Sequence, residues 1–275
     1  MIIPHWLILI SLITLTGGCT LIWQLRHMAQ NTPAIQTLLQ TSAHHQRLFL
    51  RIAFVPLALS VWALPTPQLL GFIDLRLVEL VLLMALAAAL WLQRIGWVIG
   101  VMALLLLLQS ALSRSAMLAD WLLPTLTDWL HLTLAAIWLG GVALLGLVIM
   151  PAVLRDPAHI PALASILRRF SPIATFCVLG LGLSGIIQAA LFISDFNALF
   201  TTDYGQALLA KLALFVLLIG FGAWHQQVMM PKLRQKLAKL GNTLHHLRLT
   251  LLAESVTSLL LLFFVALMKT VASSQ

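Results

Sequence analysis

The chain has 275 residues, of which 61% are apolar and only 9% charged. Soluble domains carry roughly 25% charged residues, so too few remain here to coat a water-facing surface, and a soluble globular enzyme is excluded. The formal charge of +8 does not point to nucleic acid, because the basic residues sit between apolar blocks, where membrane-topology signals belong.

The apolar blocks approach the 20 or so residues that cross a hydrocarbon core of about 30 Å. In lipid such runs are helical, since each backbone amide must find its partner within its own segment. Eight spans are predicted, near 4–25, 48–64, 73–92, 95–112, 124–150, 170–193, 206–229 and 249–268. The expected fold class is therefore an all-α integral membrane bundle of about eight transmembrane helices. Residues 1–112 form an N-terminal four-helix half and 113–275 a second four-helix domain.

In the first span, Thr16-Gly17-Gly18-Cys19 has a faint likeness to a lipoprotein cleavage site. No Lys or Arg precedes the apolar run, as a signal peptide requires, so this span is expected to be retained. The polar stretch 27–47 is predicted as the longest loop. Little more than Gln93 and Arg94 separates the third and fourth spans, which predicts a tight helical hairpin. The loop 231–248 is basic, and Lys232 to Lys239 reads as a cytoplasmic anchor. Cys19 and Cys177 both fall in apolar runs and give neither a disulfide framework nor a zinc spacing. They are read as small packing residues, and Gly140-Gly141 and Gly180 with Gly182 as points of close helix approach.

Ionisable groups inside hydrocarbon cost about 2.5–3.5 kcal/mol on insertion scales, so they are the first candidates for function. Two levels emerge from a rise of about 1.5 Å per residue. The outer one holds Glu79, His131 and Lys211, with Gln109 and Gln188 nearby and Arg114, Met117, Asp120 and Asp128 at its mouth. The inner one holds His225 and Glu254, whose matching depth on neighbouring antiparallel spans predicts that they approach each other. Met229 and Met230 follow His225. Simpler readings stand beside these: Glu79 and Lys211 neutralise each other, His131 hydrogen-bonds a neighbouring helix, and the methionines pack. His, Met and Cys are the ligand types that suit Cu(I), although no compact Met-x-x-Met or Cys-x-x-Cys motif occurs.

Four blocks carry a resemblance. They are Asp128-Trp129-Leu130-His131-Leu132 followed by Ala135 to Gly141; Leu167-Arg168-Arg169-Phe170-Ser171-Pro172; Leu199 to Gly205 with Leu208-Leu209 and Lys211; and Leu247-Arg248 with Leu252-Ala253-Glu254. Together they resemble the membrane core of the copper resistance protein D (CopD) family, over roughly residues 109–268. The resemblance implies a multi-pass protein of the bacterial inner (plasma) membrane, linked to copper import or resistance. It also implies that 113–275 is a CopD-like domain, that His131 is the leading histidine, and that Lys211 and Glu254 have roles at least in helix packing. One departure stands out. Where family members often carry Gly-His-Ala at the outer end of the fourth span, this chain reads Leu112-Ser113-Arg114-Ser115-Ala116. In the family an Asn is common near the position of His225.

The expected function is passage or handling of copper across the membrane, as Cu(I). The metal set is His131, Glu79, Met117, His225 and Met229, supported by Asp128, Trp138, Lys211 and Glu254. Trp138, seven residues after His131, is expected to wall that site from lipid. The expected partners are a copper ion, the lipid bilayer and a periplasmic copper-binding protein. No nucleotide loop, nucleophile–base pair or ATP-driven motif calls for an enzyme. The alternatives are a haem-b electron carrier and a copper-delivery assembly factor for a respiratory oxidase.

Orientation follows from Lys and Arg. With the N-terminus outside, the odd-numbered loops hold Arg26, Arg47, Arg51, Arg94, Arg155, Arg168, Arg169, Lys232, Arg234, Lys236, Lys239 and Arg248, twelve of the sixteen basic residues. Both termini are therefore expected outside. Reporter fusions at Gln275 and within 231–248 should report opposite sides of the membrane; cytoplasmic signals from both would overturn the eight-span topology.

Overall fold

A computed structural model describes residues 2–63, 68–69, 73–112, 122–192, 197–229, 231 and 240–272. The fold is all-α apart from a two-residue pairing of β1 (Gln68–Leu69) with β2 (Ile73–Asp74). The helices are α1 (Ile2–Ala29), α2 (Pro33–Ala63), α3 (Leu75–Trp91), α4 (Ile95–Ala111), α5 (Leu122–Leu144), α6 (Ile160–Phe192), the short α7 (Ala198–Thr201), α8 (Asp203–Trp224) and α9 (Leu240–Ala272). A π turn, Leu145–Ile149, and a helical segment, Met150–Arg155, prolong α5, and a π turn, His225–Met229, prolongs α8. Five of these helical runs are long and apolar enough to cross a membrane: α1, α5 with its extension, α6, α8 with its π turn, and α9; α4 is a shorter apolar helix. The protein is a multi-pass membrane protein.

Two expected loops are helical instead. Only Gln30 to Thr32 separate α1 from α2, so most of 27–47 belongs to α2. The reason lies in an apolar and small-polar stripe: Ile35, Leu38, Ser42 and Gln46 are all buried, spaced three or four residues apart as one helix face requires. The Ser42 hydroxyl donates to the Leu38 carbonyl at 2.6 Å, and the Gln46 amide donates to Ser42 Oγ at 2.8 Å. Polar composition concealed an amphipathic extension. Likewise the stretch between the fifth and sixth spans contracts to a turn at Asp156 and a 3₁₀ segment, Pro157–His159. His159 within it is 5% exposed, with Nε2 3.6 Å from Asp156 Oδ2. The α3–α4 hairpin is as expected, and Gln93 turns it with φ of 54°, a left-handed value uncommon outside glycine.

Both π turns have one local cause. Each stands immediately before a Met-Pro pair, Met150-Pro151 and Met230-Pro231. Proline has no N–H to donate and its ring crowds the carbonyl four residues back, which here belongs to Leu147 or Gln227, within the widened turn. The second π turn therefore sets the position of His225.

α1 lies at the centre, against α5, α2, α4 and α9. In lipid no hydrophobic drive brings helices together, and close packing of small residues takes its place. Gly17 and Gly140 supply it where α1 crosses α5. A Cβ on Gly17 would lie 2.7 Å from Gly140 Cα and collide with the Ala136 carbonyl; one on Gly140 would lie 2.9 Å from Gly17 Cα and collide with the Ile13 carbonyl. Gly141 admits the Phe170 ring and Gly180 the Leu134 side chain, while Gly182 has open space around it. Cys19 and Cys177 are buried free thiols. Trp6 ties α1 to α9 through a 3.1 Å bond from Nε1 to the Leu259 carbonyl. Arg26, Arg47 and Arg51 line one small recess with Gln93, so these three basic residues share one end of the bundle with the α3–α4 turn.

Gly17→Ala and Gly140→Ala should each destabilise the purified protein by about 1–3 kcal/mol through overpacking, while Gly182→Ala should not. Thermal unfolding in detergent checks this, and equal behaviour of all three variants would refute the crossing.

Candidate functional site

The outer cluster is built by two antiparallel helices. His131 on α5 places Nδ1 2.9 Å from Ser184 Oγ on α6. The Ser184 hydroxyl also lies 2.7 Å from the Gly180 carbonyl, which only accepts. The serine proton goes to that carbonyl, so His131 Nδ1–H donates to Ser184, and in the uncharged ring that hydrocarbon favours Nε2 keeps a bare lone pair. A neutral imidazole with one anchored nitrogen and one free nitrogen is the form that ligates metals. Gly185 leaves room beside the ring, and a Cβ there would lie 3.7 Å from His131 Cε1.

One turn outward on each helix stand Asp128 (α5) and Gln188 (α6). Asp128 Oδ2 and Gln188 Nε2 are buried without hydrogen-bond partners. Lys211 on α8 is close enough for its charge to act on both Asp128 and His131. The structure thus joins His131, Asp128, Lys211, Ser184 and Gln188. Glu79 lies elsewhere. It is 8% exposed on α3, which packs on α4 and α2, and its charged neighbour is Arg76 on its own helix. Depth matched Glu79 to His131, but α4 packs against both α3 and α5 and stands between them. Met117, Arg114 and Asp120 lie outside the described residues, as do Met230 and the segment 232–239.

The inner pair meets as its depth predicts. His225 Nδ1 is 3.4 Å from Glu254 Oε2, and His225 Nε2 is 2.7 Å from Thr250 Oγ1 on α9. The Thr250 hydroxyl faces the His246 and Leu247 carbonyls, each at 3.0 Å, so its proton goes to the backbone and His225 Nε2–H donates to Thr250. Nδ1 is left facing Glu254. The two are near but not aligned as a hydrogen bond, and Glu254 Oε2 stands without a partner.

Met229 is buried and lines the same cavity as His225 and Glu254. Its volume is about 320 Å³. Trp138 lines it too, 3% exposed and edge-on to Phe215 with ring centroids 6.1 Å apart. Seven residues beyond His131, it stands about 10 Å further along α5 and walls the inner cavity. Ser184 and Thr250, which fix the two histidines, escaped sequence reading; the available signal was a hydroxyl at histidine depth on an adjacent span. Among the described residues no three His, Cys, Asp or Glu side chains gather as a metal-ion cluster.

Comparison with known proteins bears on the same helices. Residues 164–268 match the family model described as Copper resistance protein D. The copper transport protein CutJ of Bacillus subtilis (strain 168) is 39% identical over 121 residues, covering 44% of this chain and 22% of that protein. The inner membrane protein YebZ of Escherichia coli (strain K12) is 32% identical over 106 residues, 38% of this chain and 35% of that protein. The matched stretch therefore spans between about a fifth and about a third of these relatives. No solved structure matches.

Removing the Ser184 hydroxyl should release His131. With ¹⁵N-labelled histidine, the native protein should report a protonated Nδ1 and a bare Nε2 at His131, and Ser184→Ala should lose that preference at a stability cost of about 0.6 kcal/mol, typical of interhelical bonds in membranes. A native His131 protonated at Nε2 would overturn the assignment.

Proposed function

We propose, from the match of residues 164–268 to the copper resistance protein D family, that this inner-membrane protein passes or handles copper, as Cu(I). The observation that carries the reading is His131, an anchored neutral imidazole inside a membrane span with a free Nε2. Imidazole and thioether groups suit Cu(I). The ion enters at the outer level, where His131 meets it, and leaves past His225 and Met229. Conduction requires binding strong enough to admit an ion and weak enough to release it. A site with few ligands at each level fits passage better than storage, and agrees with the lack of a three-residue metal cluster among the described residues.

The charge of Lys211 opposes a cation beside His131. Asp128, one turn away with an unpartnered buried oxygen, offsets it. In this reading Met117 and a periplasmic copper-binding protein serve the outer mouth. The relatives, one a copper transport protein and the other an inner membrane protein, support both the cargo and the location.

His131→Ala should change cellular copper accumulation severalfold, as loss of a charge-assisted or metal contact of about 1.5–3 kcal/mol implies, with protein abundance unchanged. His44→Ala, on an exposed face of α2, should leave copper unaltered. If His131→Ala has no effect while Arg114→His strengthens copper binding, this chain is a relative that does not carry metal.

A further inference from the structure

The inner cavity is more than the surroundings of His225. α6 packs on α5, and α8 packs on α9, but among the described residues α6 and α8 do not close on each other. Between them runs a cleft. Its back wall is Trp138 and Val142 of α5, with Leu247 and Glu254 of α9. On its flanks Thr175 and Leu179 of α6, Ile219 of α8 and Gln226 of its π turn are exposed. The surface around this mouth is apolar: Phe176 and Leu183 on α6 and Val216 and Leu217 on α8 are exposed. In a membrane-spanning chain such a surface faces acyl chains, so the cleft opens sideways into lipid.

At its deep end lies a buried carboxyl whose only near polar neighbour among the described residues, His225, is not aligned for a hydrogen bond. Glu254 is 1% exposed, lines the cavity, and has no hydrogen-bond partner at Oε2. An unsatisfied buried group of this kind costs about 1–3 kcal/mol, and more when it carries charge. Beside it stands His225, whose Nδ1 is left bare by the bond from Nε2 to Thr250. The carboxyl oxygen and the bare Nδ1 face each other at 3.4 Å without an aligned hydrogen bond, so a hydroxyl on the cavity side of the pair finds an acceptor to donate to. The remaining walls are apolar and include two aromatic rings, Trp138 and Phe170.

We propose that this cleft between α6 and α8 binds a lipid-soluble quinol, its ring against Trp138 and Phe170 and its hydroxyl donating to Glu254 or His225. The volume is at the lower end of pockets that hold small molecules, about 300–1,000 Å³. Those pockets share this composition, apolar walls with a few convergent polar groups. A ligand that arrives through lipid is uncharged and apolar over most of its surface, and one that rewards these two acceptors carries a hydroxyl. A phospholipid chain meets the first demand and leaves the carboxyl unsatisfied. The site shares His225 and Met229 with the proposed copper exit but does not rest on that reading.

The test uses full-length protein in lipid nanodiscs, titrated under reducing conditions with a decyl-tailed benzoquinol, with decanol as the tail without the ring. Saturable binding of one quinol per chain is expected, with decanol a poor competitor. Glu254→Gln should weaken binding about tenfold, the loss expected from one hydrogen bond to a charged or polar partner in a dry site. Ala174→Phe, which fills the cleft from α6, should abolish it. Ser171→Leu narrows the same wall by a second route and serves if Ala174→Phe unfolds. No saturable binding, equal competition by decanol, or binding untouched by these variants would each overturn the proposal. His131→Ala should bind the quinol normally, which separates this result from any failure of the copper reading.

Discussion

The contact on which the bundle rests is the crossing of α1 and α5 at Gly17 and Gly140. Backbone meets backbone there, with Gly17 Cα beneath any Cβ that Gly140 might bear. Helices in lipid gain little by hiding apolar surface from one another, because the acyl chains are equally apolar. What holds them is the density of contact that small residues allow. With α1 seated against α5, its other faces are free to receive α2, α4 and α9. α5 then presents His131 to α6 and Trp138 to the inner cavity. A larger residue at either glycine would displace the helix that carries His131 and the helix around which the others gather.

The second constraint is that polar side chains in a membrane must find partners among their neighbours. The structure solves it twice by one device. An imidazole donates to a hydroxyl on the adjacent helix, and that hydroxyl passes its own proton to a carbonyl of its own helix. At the outer level the pair is His131 with Ser184; at the inner level it is His225 with Thr250. Different nitrogens are anchored. His131 is left with a bare Nε2, His225 with a bare Nδ1. In each case the hydroxyl fixes both the ring's tautomer and its direction, a role that partners around metal-binding histidines commonly fill. Each imidazole therefore offers a lone pair without itself carrying charge.

The extent to which this was legible in the sequence differs by link of the chain. Hydropathy exposed the membrane runs, because twenty apolar residues in a row have one viable structure in lipid. It failed at 33–47, where the helix is amphipathic and its buried stripe of Ile35, Leu38, Ser42 and Gln46 is diluted by Gln, Thr and His. Matching depth along the helices brought His225 to Glu254, because they lie on sequential antiparallel neighbours with one register between them. The same reasoning could not decide whether Glu79 meets His131. Depth is a one-dimensional coordinate, and the order of helices around the bundle is the missing one. The π turns were marked in the sequence by Met-Pro at 150–151 and 230–231, a repeated punctuation whose meaning lies in the carbonyl four residues back.

The arrangement of α8 links the two levels. It carries Lys211 beside the outer histidine and ends in the π turn that holds His225. Its main support is α9, and among the described residues no extensive packing joins it to α6 along the cleft. His131 and Ser184, by contrast, sit on α5 and α6, which pack against each other. A rigid helix cannot shift at one end alone. Any displacement of α8 toward or away from α6 moves the Lys211 charge relative to His131 and Asp128, and in the same stroke moves His225 relative to the cavity wall formed by α6.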